Sequence, residues 1–323
     1  MTQVLVTGAA GFIGSHLCES LLRQGHTVRG LDAFTTFYDP ARKRHNLENL
    51  VTQPGFELME GDLLTAPFDE ALDGVDLVAH LAGEPGVSNS WGPNFPRYVD
   101  RNVLSTQRLL EAATTSGVDR LVYASSSSVY GTGADTLRAA GEPRPASPYG
   151  VTKLAAETLV GAYAGTGMPA VSLRYFSVYG PRQRPDMAAH RFIESLLDQR
   201  PLTVYGDGRQ VRDFTYVDDI VEATVRALFA DVTPGAVLDI ASSRPTSVNT
   251  LVSHLEALVG SEATLDTTDE RPGDVPRTEG NIGAAHDVLD WKPTIDLLTG
   301  LQRQLDWHRS LREGSRPFSR VPA

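Results

Sequence analysis

The sequence has only one cysteine, Cys18, among its 323 residues, so no disulfide can form within the chain. A lone cysteine fits a reducing compartment. Basic residues are also scarce: 29 Lys and Arg stand against 40 Asp and Glu, for a net charge of -11. Because a general nucleic-acid binder needs a basic surface, this charge argues against a nucleic-acid partner. It leaves an anionic substrate open, since a local arginine pocket can form in an acidic protein.

The sequence also lacks long apolar runs, and no stretch approaches the ~20 residues of a membrane span. The N-terminus enters an apolar strand-like segment directly, without the basic and hydrophobic regions of a signal peptide. Internal repeats and low-complexity linkers are absent, and we predict no metal site. These features predict a cytoplasmic protein with no membrane partner.

Short apolar segments alternate with helical patterns through the first half of the chain. Predicted strands cover 3–7, 27–32, 56–62, 75–83, 120–131 and 169–180, and predicted helices cover 12–24, 105–117 and 149–165. Strands that alternate with helices indicate a parallel sheet covered on both faces. The predicted fold class is therefore α/β, with a doubly wound parallel sheet.

After about residue 180 the pattern changes to arginine- and proline-rich loops, 180–187 and 270–278, between further helices and a strand. We interpret this half as a smaller C-terminal α/β substrate domain. The predicted division is 1–175 and 176–323, partly interleaved, with part of 213–242 returning to the first domain. The tail, 314–323, is expected to fray.

The segment TGAAGFIG (7–14) carries three glycines between a predicted strand and a predicted helix. Gly8 permits a tight turn, Gly11 lets the backbone approach a pyrophosphate, and Gly14 allows close helix–strand packing. The helix N-terminus then offers free N–H groups to the anion. This arrangement predicts a Rossmann-type dinucleotide site.

Asp32 ends the second predicted strand, about 20 residues after the glycines, as dinucleotide sites require. A carboxylate there accepts hydrogen bonds from the adenosine ribose and repels a 2′-phosphate, which favours NAD over NADP. The basic cluster 42–44 would make NADP possible if it folded over the ribose. We interpret it as a solvated helix face.

In SPYGVTK (147–153), Tyr149 and Lys153 are four residues apart and would share one helix face. A phenol has a pKa near ~10 and is a poor base at neutral pH. A nearby ammonium and a positive nicotinamide ring would lower that pKa, so that Tyr149 could take a proton from an alcohol. The serines 125–128 would hold the substrate oxygen. An exposed helix with the same two residues is the alternative.

Arginines of the second half offer candidate phosphate ligands. They are Arg184, Arg191, Arg212 and Arg271. The planar guanidinium fork binds two phosphate oxygens at once. For any one of them, a surface salt bridge is an equal alternative.

Six features occur in a fixed order: TGAAGFIG, Asp32, LAG (81–83), the SSSS cluster, YGVTK and RYFSVYGPRQRPD. Together they resemble the extended short-chain dehydrogenase/reductases, and more narrowly their NAD-dependent epimerase/dehydratase family. The resemblance runs from Val4 to about Trp307. It implies NAD as cofactor and a nucleotide-sugar substrate.

The resemblance also implies roles for individual residues. The implied catalytic residues are Tyr149, Lys153, Ser127 and its neighbour Ser126. The implied cofactor site comprises Gly8, Gly11, Phe12, Ile13, Gly14, Asp32, Asp62, Leu63, Leu81, Ala82, Gly83, Asn102, Ser125, Tyr149, Lys153, Tyr175, Phe176 and Val178. The implied substrate site comprises Ser88, Ser127, Ser128, Ser177, Arg184, Arg191, Val204, Tyr205, Arg212, Arg271 and Asp274. Within it, Arg212 and Arg271 serve the diphosphate, Asp274 the ribose and Tyr205 the base, which is uracil or thymine.

Members of the family begin alike, with a tyrosine that deprotonates the sugar 4-hydroxyl while NAD takes the hydride. The 4,6-dehydratases then use an Asp-Glu pair before V-Y-G, and the UDP-glucuronate decarboxylases use a glutamate there. Here these positions are Ser127 and Ser128. The resemblance therefore implies 4-epimerisation of a UDP-sugar through a transient 4-keto intermediate.

The segments EPGVSNSWG, YGVTK and VYGPRQRPDM look most like those of the UDP-glucuronate 4-epimerases. Two residues depart from that pattern: Ser88 replaces a common arginine, and Glu84 adds a negative charge. Both are expected to weaken uronate binding, although Arg184 could compensate. UDP-glucose/UDP-galactose epimerisation stays open, as does a decarboxylase or dehydratase with its acid or base elsewhere.

Two further interpretations concern the whole protein. A catalytically silent NAD-binding regulator on the same fold is the alternative to an enzyme, although such proteins usually lose the tyrosine or the lysine. The helices predicted at 105–117 and 149–165 resemble the pair that forms a four-helix dimer interface in the family. A homodimer is therefore predicted.

Overall fold

The structure is a computed structural model that describes residues 1–131 and 142–313. The tail predicted to fray, 314–323, lies outside the described residues. The strands are β1 (Gln3–Thr7), β2 (Thr27–Asp32), β3 (Phe56–Glu60), β4 (Leu77–His80), β5 (Arg120–Ser126), β6 (Ala170–Tyr175), β7 (Ser177–Tyr179), β8 (Leu202–Tyr205), β9 (Val211–Arg212), β10 (Phe214–Tyr216), β11 (Val237–Ile240), β12 (Thr246–Ser247) and β13 (Leu265–Thr268).

Helices alternate with these strands. They are α1 (Phe12–Arg23), α2 (Pro40–Leu47), α3 (Phe68–Ala71), α4 (Phe95–Tyr98), α5 (Ser105–Ser116), α6 (Pro148–Gly165), α7 (Ala188–Leu197), α8 (Val217–Phe229), α9 (Val248–Val259), α10 (Gly283–Leu289) and α11 (Leu297–Glu313). Turns of 3₁₀ helix span Ser88–Ser90, Gly92–Asn94 and Ser127–Val129, and a π-helical stretch spans Val99–Leu104. Among the described residues, no helix is both long and apolar enough to cross a membrane.

A seven-stranded sheet lies at the centre, in the order β11-β6-β5-β4-β1-β2-β3. Every neighbouring pair in it is parallel; Val4 of β1, for example, lies opposite Val28 of β2 and Leu77 of β4. The strand order reverses between β1 and β4. In open α/β sheets, ligands bind at the carboxyl ends of the strands beside such a reversal.

Apolar side chains cover both faces of this sheet. One core joins the sheet to α1 and α8, with Leu17 and Ile220 fully buried, and the other joins it to α5 and α6, with Leu109 and Ala156 fully buried. A sheet buried on both faces explains why its strands read as continuous apolar runs. The predicted doubly wound α/β fold is confirmed.

The second half of the chain contributes to two regions. Strand β11 pairs with β6 at the edge of the central sheet, and α8 packs on α1. The two-stranded pairs β10-β7, β12-β9 and β13-β8 lie outside that sheet, accompanied by α7, α9 and α11. This arrangement brings a smaller α/β region against the carboxyl ends of the central strands.

The segment predicted as one strand over 169–180 forms two. The break is at Phe176, whose N–H donates to the Ile240 carbonyl at 3.3 Å. The next residue, Ser177, donates to the Asp213 carbonyl at 2.9 Å and starts the pairing of β7 with β10. The chain thus leaves the central sheet at this point and enters the smaller region.

Four helices, α3, α4, α10 and α11, were not predicted from the sequence, whereas the interpretation of 42–44 as a helix face did place a helix at α2. Helix α11 is rich in polar residues and buries only a narrow stripe that includes Leu301, Leu305 and His308. Helix α2 begins with an N-terminal signal, because the Asp39 side chain accepts from the N–H of Ala41 and Pro40 occupies the first helical position. Such a signal is readable in a sequence once a helix is suspected.

Candidate active site

A cavity of about 1520 Å³ opens at the carboxyl ends of the central strands, between the sheet and the smaller region. All predicted site residues lie in the described part of the chain, and only Val204 and Arg212 are not on the cavity wall. Those on the wall are Gly8, Gly11, Phe12, Ile13, Gly14, Asp32, Asp62, Leu63, Leu81, Ala82, Gly83, Ser88, Asn102, Ser125, Ser126, Ser127, Ser128, Tyr149, Lys153, Tyr175, Phe176, Ser177, Val178, Arg184, Arg191, Tyr205, Arg271 and Asp274.

The glycine turn after β1 is packed too closely for side chains. Gly8 has φ +72°, and a Cβ there would lie 2.9 Å from the Ala82 nitrogen, on the loop after β4. A Cβ on Gly14 would lie 2.1 Å from the Gly8 carbonyl oxygen. The turn therefore keeps α1 against β1 and leaves its backbone facing the cavity.

The N-terminus of α1 meets the requirements of an anion site. Its N-cap residue, Gly11, makes no side-chain capping bond, and the first turn has no acidic residue. The first N–H groups of the helix and its positive dipole end thus face the cavity without a side-chain partner. These features fit the pyrophosphate of a dinucleotide.

Asp32 is buried at the end of β2, where a dinucleotide ribose would lie. Its carboxylate accepts from the N–H of Ala10 at 3.1 Å and of Phe34 at 2.8 Å, and from the Lys43 ammonium at 2.9 Å. The interpretation of 42–44 as a solvated face is wrong for Lys43, which is only 8% exposed. The cause is the loop after β2, which turns α2 back toward the carboxylate.

The other two cations of this cluster also face carboxylates. Arg44 donates to Glu60 at 2.7 Å, and Arg42 lies within electrostatic reach of Glu194 and Asp39. Each positive charge of 42–44 therefore has a negative neighbour within the protein. This favours a cofactor without a 2′-phosphate.

Tyr149 reaches the cavity from the first turn of α6. The helix starts there because the Ser147 side chain accepts from the N–H of Gly150 at 3.1 Å and Pro148 occupies its first position. A Cβ on Gly150 would lie 2.4 Å from the Ser128 carbonyl oxygen. Glycine at this position thus lets α6 approach the serine cluster closely.

The Ser126 hydroxyl lies close enough to the Tyr149 phenol to act on its pKa. Ser127, to which the resemblance gave the assisting role first, begins the next 3₁₀ turn and lines the same cavity. Burial raises the pKa of Tyr149, while Ser126 and Arg184 act in the opposite direction. In the protein alone the phenol is therefore neutral, and the lowering of its pKa expected from the sequence is not present.

Lys153 lies one helical turn beyond Tyr149. Its ammonium donates to the Ala124 carbonyl at 2.5 Å and lies 4.2 Å from the centre of the Tyr123 ring. Burial lowers the Lys153 pKa to about 7, against the raising effect of Glu157. A pKa of about 7 leaves Lys153 only partly protonated at neutral pH, so nearby charged groups decide how much of the ammonium form is present.

Asn102 lies in the π-helical stretch and fixes the loop after β4. Its amide accepts from the N–H of Glu84 at 2.7 Å and donates to Thr152 of α6 at 3.0 Å. A Cβ on Gly83 would lie 2.8 Å from the Asn102 side-chain oxygen, so glycine is needed there. The amide therefore ties the loop 81–84 to the helix that carries Tyr149.

Glu84 does not present a bare charge to the cavity. Its buried carboxylate contacts Arg97 at 2.9 Å and Arg101 at 2.8 Å. The expectation that Glu84 repels a uronate rests on an uncompensated charge, and two guanidiniums compensate it. The sequence hid this because both arginines come more than ten residues later, on α4 and the π-helical stretch.

The opposite end of the cavity contains arginine and tyrosine. The Arg271 guanidinium stacks 3.4 Å from the centre of the Tyr205 ring, and Arg191 lies 5.5 Å from it. Arg212, on β9, pairs with Asp274 instead of lining the cavity. Val204, which precedes Tyr205 on β8, belongs to the core. Arg271 and Arg191 are thus the predicted phosphate ligands on this wall.

We predict that Arg271→Met weakens UDP binding by about tenfold or more, because the diphosphate would lose a positively charged hydrogen-bond donor. The matched control is Arg209→Met, on an exposed loop where the Arg209 guanidinium lies 3.5 Å from the Asp207 carboxylate. Calorimetric titration of both variants with UDP measures the change. An unchanged affinity for Arg271→Met, or an equal loss in both variants, would contradict the assignment.

Comparison with known proteins agrees with this geometry. The NAD dependent epimerase/dehydratase family model matches residues 4–241. The Bacillus subtilis protein named as the uncharacterized UDP-glucose epimerase YtcB is 43% identical over 314 residues, covering 97% of this chain and 99% of that protein.

Two solved structures are also similar. UDP-glucuronic acid 4-epimerase from Bacillus cereus, solved with UDP-glucuronic acid and NAD, has a TM-score of 0.93 and 42% identity, covering 96% of this chain and 100% of that one. MoeE5, solved with NAD and either UDP-glucuronic acid or UDP-glucose, has a TM-score of 0.87 and 41% identity, covering 95% and 99%. The chain belongs to the NAD-dependent epimerase/dehydratase family.

Proposed function

We propose that this chain is an NAD-dependent UDP-sugar 4-epimerase that interconverts UDP-glucuronate and UDP-galacturonate through a transient 4-keto sugar. One observation carries the proposal. A single cavity holds Tyr149, Ser126 and Lys153 between a dinucleotide-type glycine turn and the Arg271–Tyr205 wall. A bound NAD and the sugar of a bound UDP-sugar would therefore both lie beside the Tyr149 phenol.

The cofactor side of the proposal rests on the glycine turn and Asp32. The uncapped N-terminus of α1 would bind the pyrophosphate, and Asp32 would accept from the adenosine ribose. When bound, NAD supplies a hydride acceptor at the sugar and returns the hydride within the same turnover. The chain's own residues orient the sugar and move its proton.

Tyr149 is the proposed proton acceptor for the sugar 4-hydroxyl. The Ser126 hydroxyl, which lies near the phenol, would bind the reacting oxygen. Once the 4-keto sugar has turned its other face toward the cofactor, Tyr149 returns the proton. No net proton or electron leaves the site, as an isomerisation requires.

The residues beside the phenol favour epimerisation over elimination or decarboxylation. Ser127 and Ser128 occupy the positions where the dehydratases carry an acid–base pair and the decarboxylases a glutamate. A hydroxyl with its ordinary acidity cannot supply that acid or base at neutral pH. The keto sugar therefore keeps its C5 and C6 substituents.

The uronate is the preferred sugar because the cavity offers both hydroxyls and a cation for its carboxylate. Ser127, Ser128 and Ser177 line the same cavity as Tyr149. Arg184 also lines it; its Nε and one Nη donate to Asp186 at 3.0 and 2.9 Å, so its other Nη would be the donor to a sugar carboxylate. Glu84 is neutralised by two arginines and does not oppose an anion. UDP-glucose is the second candidate, because Ser88 provides no charge and the similar MoeE5 was solved with either sugar nucleotide.

The sugar preference is tested by measuring kcat/KM for UDP-glucuronate and UDP-glucose in parallel. We expect a higher value for the uronate. If UDP-glucose gave UDP-galactose while UDP-glucuronate gave no product, Ser88 would have redirected the specificity. Ser88→Arg is the informative variant: it should raise the uronate value if the missing arginine limits it.

Organisation beyond the site is also proposed. Residues 1–175 bind the cofactor and 176–323 the nucleotide sugar, with part of 213–242 returning to the cofactor domain.

A homodimer through α5 and α6 is supported by two exposed apolar side chains: Leu104, directly before α5, and Val151, in α6. Light scattering should give the mass of two chains, and the mass of one would contradict the dimer. The cytoplasmic location remains a prediction.

A further inference from the structure

A buried ion pair lies directly behind the proposed proton-transfer residues. Glu157 follows Lys153 by one turn of α6, and its carboxylate accepts two bonds from Arg174 of β6, at 2.6 and 3.0 Å. It also accepts from the Ser125 hydroxyl at 2.6 Å. The side chains of Glu157 and Arg174 are only 5% and 13% exposed, so water does little to screen this pair. Unlike Lys153 and Ser125, neither residue lines the cavity.

The pair continues into a longer network. Arg174 donates to the Tyr130 hydroxyl at 2.7 Å, and that hydroxyl donates to Asp239 of β11 at 2.7 Å. Asp239 also accepts from the N–H of Asn281 at 3.2 Å. Polar side chains from α6, β6, β11 and the turn after β5 are thus fixed beneath one edge of the site. A partly satisfied buried network would be costly, and here each link has a partner.

Several other groups face Lys153 or Glu157 from the elements packed around them. Tyr149 shares their helix, and Tyr98 of α4 packs edge-on against the Tyr149 ring. The sheet contributes His80 of β4 and Tyr123 of β5, both fully buried and neutral because burial disfavours their charged forms. Among the described residues around Lys153, Glu157 is the one whose charge raises the lysine pKa.

We propose that Glu157, held by Arg174, is a positioning residue that keeps Lys153 protonated and Ser125 fixed for proton transfer at Tyr149. The inference rests on the proposed function for its catalytic meaning. Glu157 touches neither substrate nor cofactor, and it acts only through Lys153 and Ser125. Arg174 holds Glu157 in place through two hydrogen bonds, and Tyr130 and Asp239 anchor Arg174.

The consequence for pH dependence has a definite sign. Burial lowers the Lys153 pKa to about 7, and Glu157 raises it. Without the carboxylate, the pKa falls further, so the ammonium is lost at lower pH. The alkaline limb of an activity that needs this ammonium therefore moves to lower pH. The Arg174 charge, left behind by Glu157→Gln, would add to the effect.

The direct test is a carbon NMR titration of lysine labelled at Cε. It is simple here because the sequence has only Lys43, Lys153 and Lys292, and Lys153→Arg identifies the signal of interest. We expect Glu157→Gln to lower the Lys153 pKa by about one pH unit or more. The double variant Glu157→Gln, Arg174→Met should fall between that variant and the wild type, and it serves if the single variant does not fold.

Glu222→Gln is the matched control, because Glu222 forms a Glu–Arg pair with Arg226 on the exposed face of α8. Its Lys153 titration should coincide with that of the wild type. Glu157→Asp keeps the charge and should restore most of the wild-type value. The proposal is overturned if Lys153 has the same pKa in folded Glu157→Gln as in the wild type. Where that variant does not fold, the same result in the double variant overturns it.

Turnover then separates this proposal from the function on which it rests. With an active wild type, the alkaline limb of kcat/KM for Glu157→Gln should move to lower pH, with about a tenfold loss at pH values above both limbs. A uniform loss at every pH would indicate a purely structural role and overturn the proposal. If the wild type epimerises nothing, the proposed function fails, while the NMR titration still decides whether Glu157 controls Lys153.

Discussion

Tyr149→Phe is expected to lower kcat for epimerisation by about 10³-fold, the order of magnitude that one positioned proton acceptor contributes. The phenol oxygen is the only atom removed. The ring keeps its edge-on contact with Tyr98, at 6.2 Å between centroids. Binding of UDP-glucuronate and the content of bound NAD should therefore stay close to wild type. NMR of reaction samples quenched at successive times measures turnover, and calorimetry measures binding separately.

The control for this variant is Tyr163→Phe. Tyr163 lies on the same helix, but its hydroxyl bonds Glu111 and Gln107 at the surface of α5. Its loss should leave kcat unchanged. If Tyr149→Phe kept its turnover, Tyr149 would not be the proton acceptor. A cellular function that persisted without turnover would instead indicate an NAD-binding regulator.

Gly14→Ala is expected to abolish NAD retention and to destabilise the fold. The added Cβ would lie 2.1 Å from the Gly8 carbonyl oxygen and 3.0 Å from the Ala9 Cα. Backbone atoms cannot yield as a flexible side chain does, so α1 must move away from β1. Overpacking in a tight core typically costs about 1–3 kcal/mol, and more where the backbone is the obstacle. Thermal unfolding and the absorbance of NAD released from the purified protein measure both effects.

Gly161→Ala provides the matched control. Gly161 is a helical glycine of α6, and a Cβ added to it would meet no atom of another element within 4 Å in the described part of the chain. Alanine there should raise stability by up to about 1 kcal/mol, because glycine is a poor helix former. A Gly14→Ala protein that bound NAD normally would show that the glycine turn is not the pyrophosphate site.

Much of the central sheet was predictable, because its strands are buried on both faces and read as continuous apolar runs between turn residues. Strands β1 and β2 begin and end where their apolar patterns do. Helix α11 was not predictable in this way, since its buried stripe is narrow and polar Gln304 and His308 belong to it. Its partner surface lies far away in the sequence, where periodicity gives no information.

The site shows the same contrast. Residues grouped by a local motif, such as Tyr149 with Lys153 and the glycines of 7–14, lie together on the cavity wall. Charges whose partners come from distant segments were misread. Lys43 is drawn inward by Asp32, Glu84 is neutralised by two later arginines, and Arg212 turns to Asp274. A single sequence shows each charge but not the partner that decides its role.

The most direct measurement is proton NMR of UDP-glucuronate incubated with the purified protein and no added cofactor. The account predicts a growing UDP-galacturonate anomeric signal at constant total sugar, with no carbon dioxide released. A pentose with carbon dioxide, or a 4-keto-6-deoxy sugar, would contradict the argument from Ser127 and Ser128. An unchanged substrate, even after NAD is added, would contradict epimerisation itself.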